Sequence, residues 1–434
     1  MVYETTFLEN EYVSFEKLYE AYIDCRKRKT TTTNCFNFEI NERKELYKLY
    51  LELNNMTYEI GKSITFCVDR PVKREVFAAD FRDRIVHHLL INDIMYLFEN
   101  EFIDDSYSCR VGKGTYYGVM RCYNKIKQAS RNYTKDCYIV KCDLKSFFMT
   151  IDKNLLFSKL EHFIKDKYEP DGNMLSIDFV LYLIKKIIFN EPQNNCIRKQ
   201  SLSAWDGLPK EKSLFHVEKD KGLPIGNLTS QIFANFYLSE FDHFMVEELG
   251  LPYYGRYVDD FYFIVRDKKN AAYVLKRIKE KLDSLGVLLH PKKLYIQHWN
   301  KGTNFIGATL KPNRVYIGNR TKGNFYQSVK YHSKSLEEDD SIENVNHIIT
   351  SINSYLGFFK HYKTRRIIDK YMLRTDFSYS FYKYFSLSRT YGKVIPKYIY
   401  KINNKKYSET MFEERKLLFK KKHWKIKKHK SSSN

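Results

Sequence analysis

The sequence predicts an α+β protein, and three observations lead to that class. Two apolar segments rich in β-branched and aromatic residues, 137–143 and 253–265, have the composition of strands, and both carry aspartate. Amphipathic periodicity predicts helices before and after them, for example over 13–28 and 270–285. The chain has 434 residues and 16% aromatic residues, which is enough for a large core divided between two or three domains.

The first 100 residues predict helices, short strands and then a long helix. The predicted elements are helices over 13–28 and 41–55, strand-like pieces over 56–80 and a helix from Phe81 onward. Arg82 and Arg84 stand at the start of the long helix, and Arg74 precedes it. A helix N-terminus with arginines can bind phosphate, although solvated charge is the commoner fate of such side chains.

The segment SYSCRVGKGT (106–115) is glycine-rich and basic but lacks the full phosphate-loop pattern. Arg110 and Lys113 are predicted to contact nucleic-acid phosphates. Residues 116–128 then predict a helix that leads into the strand ending at Asp143.

The segment YYGRYVDDFYFIV (253–265) predicts a hairpin whose turn carries Asp259 and Asp260. A buried carboxylate needs a partner, and a divalent metal ion is the usual one. A surface turn with two solvated aspartates is the alternative. Asp143 lies 116 residues upstream (259 − 143), so only the fold could join the three carboxylates. Joined at neighbouring strand ends, they would form a two-metal site for in-line phosphoryl transfer.

Between the acidic segments, residues 154–189 predict helices and 190–221 predict an insertion or a long ordered loop. The following GLPIGNLTSQ (222–231) breaks the backbone before a helix that starts near Thr229. Its glycines would let the backbone approach a base pair closely. The alternative is a plain helix cap made by Thr229 or Ser230.

The remainder of the chain is increasingly basic. The predicted elements are a helix over 270–285, a turn and strand over 285–297 containing HPKK, a hairpin over 302–310 and basic helices over 319–385 with an acidic break at 336–344. The tail from Lys401 to Lys430 carries 12 lysines and arginines against three glutamates. Aromatic residues stand among these cations, such as Trp424 three residues after Lys421. This combination favours RNA as the partner of the tail, and a disordered solubilising tail is the alternative.

The composition of the chain indicates what kind of partner it binds and in which compartment it is expected. The net charge of +22 and the isoelectric point of about 9.3 predict a polyanionic partner, for which nucleic acid is the favoured interpretation. The eight cysteines lack metal-binding spacing and predict reduced thiols. The acidic, amphipathic start of the chain does not resemble a signal peptide, and no apolar run approaches 18 residues. A cytoplasmic protein without a membrane span is therefore expected.

Seven motifs, in order, resemble those of reverse transcriptases. They are RDRIVHH, SYSCRVGKGT, DLKSFF, GLPIGNLTSQ, YVDD, HPKK and NFIG, and the resemblance covers roughly residues 10–370. It implies a right-hand polymerase fold with fingers, a palm built on an antiparallel sheet and a helical thumb. The implied domains are N-terminal helices and fingers over 1–135, palm over 136–300 with a fingers-type insertion at 154–221, primer grip and thumb over 301–395, and a basic C-terminal extension over 396–434.

The resemblance also implies roles for individual residues. Asp143 and Asp259 would ligate two Mg²⁺ ions per site, or Mn²⁺ instead, with Asp260 in support. Phe148 would crowd the sugar 2′-position and favour dNTPs, and Lys293 or Lys292 would protonate the leaving pyrophosphate. The implied dNTP-binding residues are Arg74, Arg82, Arg84, Phe148, Ile225, Gly226, Gln231 and Lys293. The implied nucleic-acid-binding residues are Arg110, Lys113, Phe305, Gly307, Lys360, Arg365, Arg366, Lys421 and Trp424.

The implied function is RNA-directed DNA synthesis on a cognate non-coding RNA, with cDNA as product and dNTPs as substrates. IGNLTSQ, in place of the QGxxxSP of many family members, resembles both bacterial antiphage-defence enzymes and those of diversity-generating retroelements. The insertion, the basic tail and Val258 in YVDD favour defence over diversification. A non-catalytic RNA-binding protein is a third hypothesis, which the intact aspartates disfavour. A second copy of the chain or an accessory protein is a further expected partner.

Overall fold

The computed structural model describes residues 11–27, 32–69, 72–373 and 384–397. The chain separates into two compact units, Met1–Lys301 and Gly302–Asn434. Each unit has its own hydrophobic core.

The first unit begins with helices packed around one long helix. Its first elements are α1 (Phe15–Arg26), α2 (Thr33–Glu39), α3 (Glu42–Asn54), β1 (Ser63–Val68), β2 (Arg74–Ala78), α4 (Phe81–Glu101) and α5 (Thr115–Ala129). Tyr22 of α1 packs edge-on against Phe81 of α4 in a core that both helices share. These elements confirm the predicted helices, whereas the short α2 was not predicted.

The second half of this unit contains the acidic strands. Its elements are β3 (Tyr138–Asp143), α6 (Phe147–Thr150), α7 (Lys153–Lys167), α8 (Ile177–Phe189), β4 (Cys196–Arg198), α9 (Leu228–Tyr237), α10 (Ser239–His243), β5 (Tyr254–Tyr257), β6 (Asp260–Val265), α11 (Lys268–Ser284) and β7 (Tyr295–His298). The prediction of a hairpin over 253–265 is confirmed. Helix α9 starts at Leu228 after an Asn227 cap, so neither Thr229 nor Ser230 is the N-cap residue.

Strands β5, β6, β3 and β7 form one four-stranded antiparallel sheet in that order. Its buried faces are apolar and aromatic, as the β-branched and aromatic composition of the strands requires. The sheet places β3 in the centre, next to β6, so the two strands that carry the aspartates are neighbours.

A second sheet has the order β2-β1-β4, and its third strand comes from the 190–221 segment. Glu75 of β2 holds that segment in place through hydrogen bonds. Its buried carboxylate accepts hydrogen bonds from Trp205 Nε1 (2.7 Å), Ser213 Oγ (2.9 Å) and the Leu214 amide (2.6 Å). The 190–221 segment is therefore an ordered part of this unit and not a free loop.

The second unit combines a small sheet with helices. Its elements are β8 (Thr303–Phe305), β9 (Ala308–Lys311), β10 (Arg314–Ile317), α12 (Asn319–Glu338), α13 (Ile342–Phe359), α14 (Arg365–Ile368), β11 (Phe385–Leu387) and β12 (Val394–Pro396). Strands β8 to β10 form one antiparallel sheet, while β11 and β12 form a hairpin that the helical prediction for 319–385 missed in part. The tail 401–430 lies outside the described residues.

None of the described helices is long and apolar enough to cross a membrane. All eight cysteines are free, as the sequence predicts.

Candidate active site

The register of the four-stranded sheet places Asp143 and Asp260 directly opposite each other. Asp143 ends β3, Asp260 begins β6, and their Cα atoms are paired across the ladder. Side chains paired in this way point to the same face of the sheet. The structure thus joins carboxylates that are more than a hundred residues apart in the sequence.

Asp259 completes the cluster from the turn of the hairpin. Tyr257 pairs with Asp260, so the loop between β5 and β6 consists of Val258 and Asp259 alone. The prediction that Asp260 lies in the turn is therefore wrong, because this residue belongs to the ladder. The Leu144 amide donates to the Asp259 carbonyl (3.2 Å), which ties the turn to the chain just after Asp143.

The three carboxylates repel one another. Burial, followed by the negative charges of Asp143 and Asp260, raises the pKa of Asp259 to about 6. Burial also raises the pKa of Asp260, although the Lys141 ammonium opposes that shift. A cluster of this kind favours a bound cation, because a cation removes the repulsion.

Two lysines supply positive charge at the cluster. Lys293 Nζ donates to both carboxylate oxygens of Asp143 (2.8 and 2.9 Å), and its side chain is 47% exposed. Lys141 Nζ lies 3.3 Å from Asp260 Oδ1. Sequence analysis missed Lys141. The signal was its position two residues before Asp143, which places both side chains on one face of β3.

The donor set fits a divalent magnesium ion, for which carboxylate oxygens are the preferred protein ligands. Among the described residues, no group of three His, Cys, Asp or Glu side chains is arranged to hold a metal ion in this structure. Lys293 occupies the Asp143 carboxylate, so this lysine would have to release Asp143 for a metal ion to be held there.

Three of the predicted dNTP-binding residues lie on elements around this hairpin. Phe148 follows Asp143, is partly buried and packs edge-on against Phe147. Gln231 on α9 is exposed and accepts a hydrogen bond from Cys109 Sγ (3.0 Å). Arg74 is exposed, and its charge acts on the Tyr257 phenol, where it opposes a rise in pKa caused mainly by burial. Arg74 forms no ion pair within the described part of the chain.

Ile225 and Gly226 connect the segment before α9 to strand β2. The Ile225 carbonyl accepts from the Phe77 amide (2.8 Å). Gly226 has φ +126°, and a Cβ atom there would lie 2.8 Å from Val76 Cγ1. The close backbone approach that this glycine allows is therefore to strand β2.

Arg82 and Arg84 have internal partners rather than open guanidinium groups. Arg82 forms an ion pair with Glu52, donates to the Glu59 carbonyl (3.2 Å) and stacks on Tyr58. Arg84 Nε donates to the Ala79 carbonyl (2.9 Å). In this arrangement both arginines have partners near the start of α4, and the bond of Arg84 uses its Nε atom.

Arg110 and Lys113 are likewise engaged within their own loop. Arg110 pairs with Glu99 (2.8 Å) and donates to the carbonyls of Ile103 and Ser106. Lys113 pairs with Asp104 at 2.9 Å. Both side chains are largely buried, so the prediction that they contact phosphates is wrong in this arrangement. Their contacts hold the loop instead.

In the second unit, Phe305 is 1% exposed and cannot contact nucleic acid in this arrangement. The neighbouring Gly307 has φ +87°, and its carbonyl accepts from the Gly318 amide (2.9 Å). Lys360, Arg365 and Arg366 are exposed, and Arg365 stacks on Tyr391. Lys421 and Trp424 lie outside the described residues.

A buried group behind the hairpin was also missed by sequence analysis. Arg256 and Asp242 form an ion pair whose two side chains are both 0% exposed. Ser108, in the loop assigned above to phosphate binding, donates to Asn235 Oδ1 (2.9 Å) and accepts from the Val258 amide (3.2 Å). An arginine inside the apolar strand YYGRYV was the one visible signal, because a charge there needs a buried partner.

The profile of the family described as "Reverse transcriptase (RNA-dependent DNA polymerase)" matches residues 73–310, more than half of the chain. No curated protein matches the sequence.

Similar solved structures include telomerases from two Candida species. Apo telomerase from Candida tropicalis, truncated from the C-terminal domain, has a TM-score of 0.45 and 13% identity, over 60% of this chain and 55% of that chain. Telomerase from Candida albicans in complex with a TWJ fragment of telomeric RNA has a TM-score of 0.42 and 11% identity, over 75% and 58%. The chain spans less than two thirds of the length of these telomerases.

Proposed function

Because the chain belongs to the reverse transcriptase family, we propose that it copies a cognate non-coding RNA into cDNA in bacterial antiphage defence. Its fold is the right-hand polymerase fold. Membership of this family supports RNA-directed DNA polymerase activity in general. The observation that carries the proposal is the placement of Asp143 opposite Asp260 with Asp259 in the adjoining turn.

Asp143 and Asp259 would hold two Mg²⁺ ions, or Mn²⁺ instead, with Asp260 in support. When bound, the ions would lower the pKa of the primer 3′-hydroxyl and stabilise the charge of the triphosphate. The carboxylates would hold the attacking hydroxyl in line with the dNTP α-phosphate, so that positioning and electrostatics supply most of the rate enhancement.

Lys293 and Arg74 would then act on the triphosphate. The exposed side chain of Lys293 would leave Asp143 and donate a proton to the departing pyrophosphate. Lys141 would remain on Asp260 and offset one negative charge of the cluster. Arg74, which has no ion pair within the described residues, would neutralise the triphosphate from β2. Phe148 would exclude the 2′-hydroxyl of an rNTP.

The antiphage role is supported by parts of the chain that a minimal polymerase does not require. The segment 190–221 is ordered around Glu75 and adds strand β4 to the sheet of β1 and β2. The basic tail beyond Lys401 would bind the RNA. A diversity-generating retroelement enzyme is the second candidate, because IGNLTSQ at 225–231 fits that group as well as the defence enzymes.

The catalytic assignment is tested by primer extension on an RNA template with Mg²⁺. The double variant Asp259→Ala/Asp260→Ala should lose all detectable dNTP incorporation, because the remaining Asp143 cannot hold two ions. Asp283→Ala is the matched control, since Asp283 is an exposed carboxylate on α11. Incorporation by the double variant at the rate of this control would overturn the assignment.

The biological role is tested by sequencing the RNA and cDNA that co-purify with the protein from its native locus. One defined RNA with a matching or repetitive cDNA, and no variable gene nearby, is the expected result. Scattered substitutions at template adenines in the cDNA would establish the diversifying enzyme instead. RNA without any cDNA would favour a non-catalytic RNA-binding protein.

A further inference from the structure

The turn that presents Asp259 has a backbone conformation that its sequence does not favour. Val258, the first of the two loop residues, has φ +57°. Glycine is the residue usually found at such a position of a two-residue hairpin, because a β-branched side chain is strained at positive φ. The surrounding structure must therefore impose this conformation.

Hydrogen bonds fix the Val258–Asp259 backbone on several sides. Arg256 Nη1 donates to the Val258 carbonyl (3.0 Å), and the Val258 amide donates to Ser108 Oγ (3.2 Å). The Leu144 amide holds the Asp259 carbonyl (3.2 Å). Only the bond from Arg256 involves a charged donor, so it should be the strongest of the three.

The Arg256 guanidinium is itself held rigidly. Its Nε and Nη2 atoms donate to the two oxygens of Asp242 (2.7 and 2.5 Å), and Tyr254 donates to the same carboxylate. Nη2 also donates to the Asn235 carbonyl (3.3 Å) and Ser106 Oγ (3.4 Å), and Nη1 donates to Asn235 Oδ1 (3.2 Å). A planar guanidinium that is bound on both edges can direct its last donor to one point, which is the Val258 carbonyl.

We propose that Arg256 is a positioning residue, which holds the Val258 peptide in its left-handed conformation and thereby fixes the Asp259 carboxylate beside Asp143. Asp242 acts through Arg256 by orienting its guanidinium. The role in catalysis rests on the proposed function, whereas the control of the turn does not. A pair that served only stability would not need a donor aimed at the turn, since apolar side chains can replace such pairs without loss.

The test variant is Arg256→Lys, with Val258→Gly as the second substitution. Lysine keeps a positive charge for Asp242 but lacks the fork that also reaches Val258. Glycine adopts positive φ without steric cost, so in the Val258→Gly background the turn should no longer depend on Arg256. Arg277→Lys on α11 is the matched control, because the Arg277 side chain is partly exposed and pairs with Glu280 on its own helix.

The readouts are hydrogen exchange of the β5–β6 turn by mass spectrometry, Mn²⁺ affinity by titration calorimetry, and kcat and KM for dNTP in primer extension. Arg256→Lys should speed exchange of the turn and weaken Mn²⁺ binding and kcat each by about 10-fold, the usual worth of a charged hydrogen bond. The KM for dNTP should stay within about twofold, since Arg256 touches no substrate. In the Val258→Gly background the loss should shrink to less than about threefold.

Unchanged exchange and Mn²⁺ affinity in Arg256→Lys would overturn the proposal, as would an equal loss with and without Val258→Gly. If Arg256→Lys does not fold, Ser108→Ala replaces it, because Ser108 holds the amide of the same residue and the same rescue by Val258→Gly is expected. A protein that makes no cDNA but loosens its turn in Arg256→Lys would refute the proposed function and leave the positioning role intact.

Discussion

Replacing Asp259 by asparagine should stabilise the metal-free protein while it abolishes synthesis. Asp259 is the carboxylate that burial and two neighbouring aspartates affect most clearly, with a pKa raised to about 6 from its ordinary value near 4. Each pKa unit corresponds to 1.36 kcal/mol, so above pH 7 the folded state bears a cost of about 3 kcal/mol from ionised Asp259. The asparagine side chain carries no charge, so Asp259→Asn should recover most of that free energy of unfolding.

The sign of the pH dependence follows from the raised pKa. Between about pH 6 and pH 4 the folded protein binds a proton that the unfolded chain does not, so the cost from Asp259 decreases as the pH falls. Below the unfolded pKa both states are protonated and the cost has vanished. The gain from Asp259→Asn should therefore be full at pH 8, smaller at pH 5 and absent near pH 4.

The assay is thermal and urea unfolding with a chelator at pH 8 and pH 5, followed by the same scans with Mg²⁺. At pH 8 without metal, Asp259→Asn should raise the midpoint temperature by a few degrees. Asp283→Asn, which removes an exposed charge, should change stability by less than about 0.5 kcal/mol. A lower stability of Asp259→Asn at pH 8, or an equal gain at both pH values, would refute the electrostatic reasoning.

Three further outcomes are expected. Mg²⁺ should raise the unfolding temperature of the wild-type protein in proportion to the logarithm of its concentration and have little effect on Asp143→Asn, and equal shifts in both would exclude Asp143 as a ligand. Phe148→Ala should increase rNTP use relative to dNTP by about 10-fold in kcat/KM, and an unchanged ratio would remove Phe148 from the sugar site. Gly226→Ala should lower the free energy of unfolding by more than about 1 kcal/mol, because its Cβ would meet Val76 at positive φ, whereas Gly323→Ala, with open space around it, should cause no loss.

Local composition was sufficient to predict the strands that carry the acidic residues, but the register between them was not in the sequence. The runs 137–143 and 253–265 have strand composition, and both form strands of one sheet. That Asp143 faces Asp260, and that Asp260 is a ladder residue, depends on the pairing of the central strands. A shift of one residue would have turned Asp260 to the opposite face.

Sequence analysis could not recognise charged side chains whose partners lie far away in the sequence. Arg82 pairs with Glu52 across 30 residues, and Glu75 gathers Trp205 and Ser213 across more than 120 residues. A single sequence gives the charges but not their neighbours, so a solvent-facing arginine and an arginine in an ion pair have the same local pattern. The prediction that Phe305 contacts nucleic acid was wrong for a related reason, since the burial of Phe305 depends on the packing of strand β8 in the second unit.

Two unfavourable features of the first unit stand on adjacent residues of the hairpin turn. Val258 has a strained backbone and Asp259 an unfavourable charge, and neither is required for the hairpin to form, since a Gly-containing turn without the acid would be more stable. Behind this turn stands a fully buried arginine–aspartate pair, which is itself costly to bury. Stability alone would have selected against all three features. Their coincidence at one turn indicates that the fold holds a carboxylate where like charges oppose it, which is the arrangement that a cation-dependent site requires.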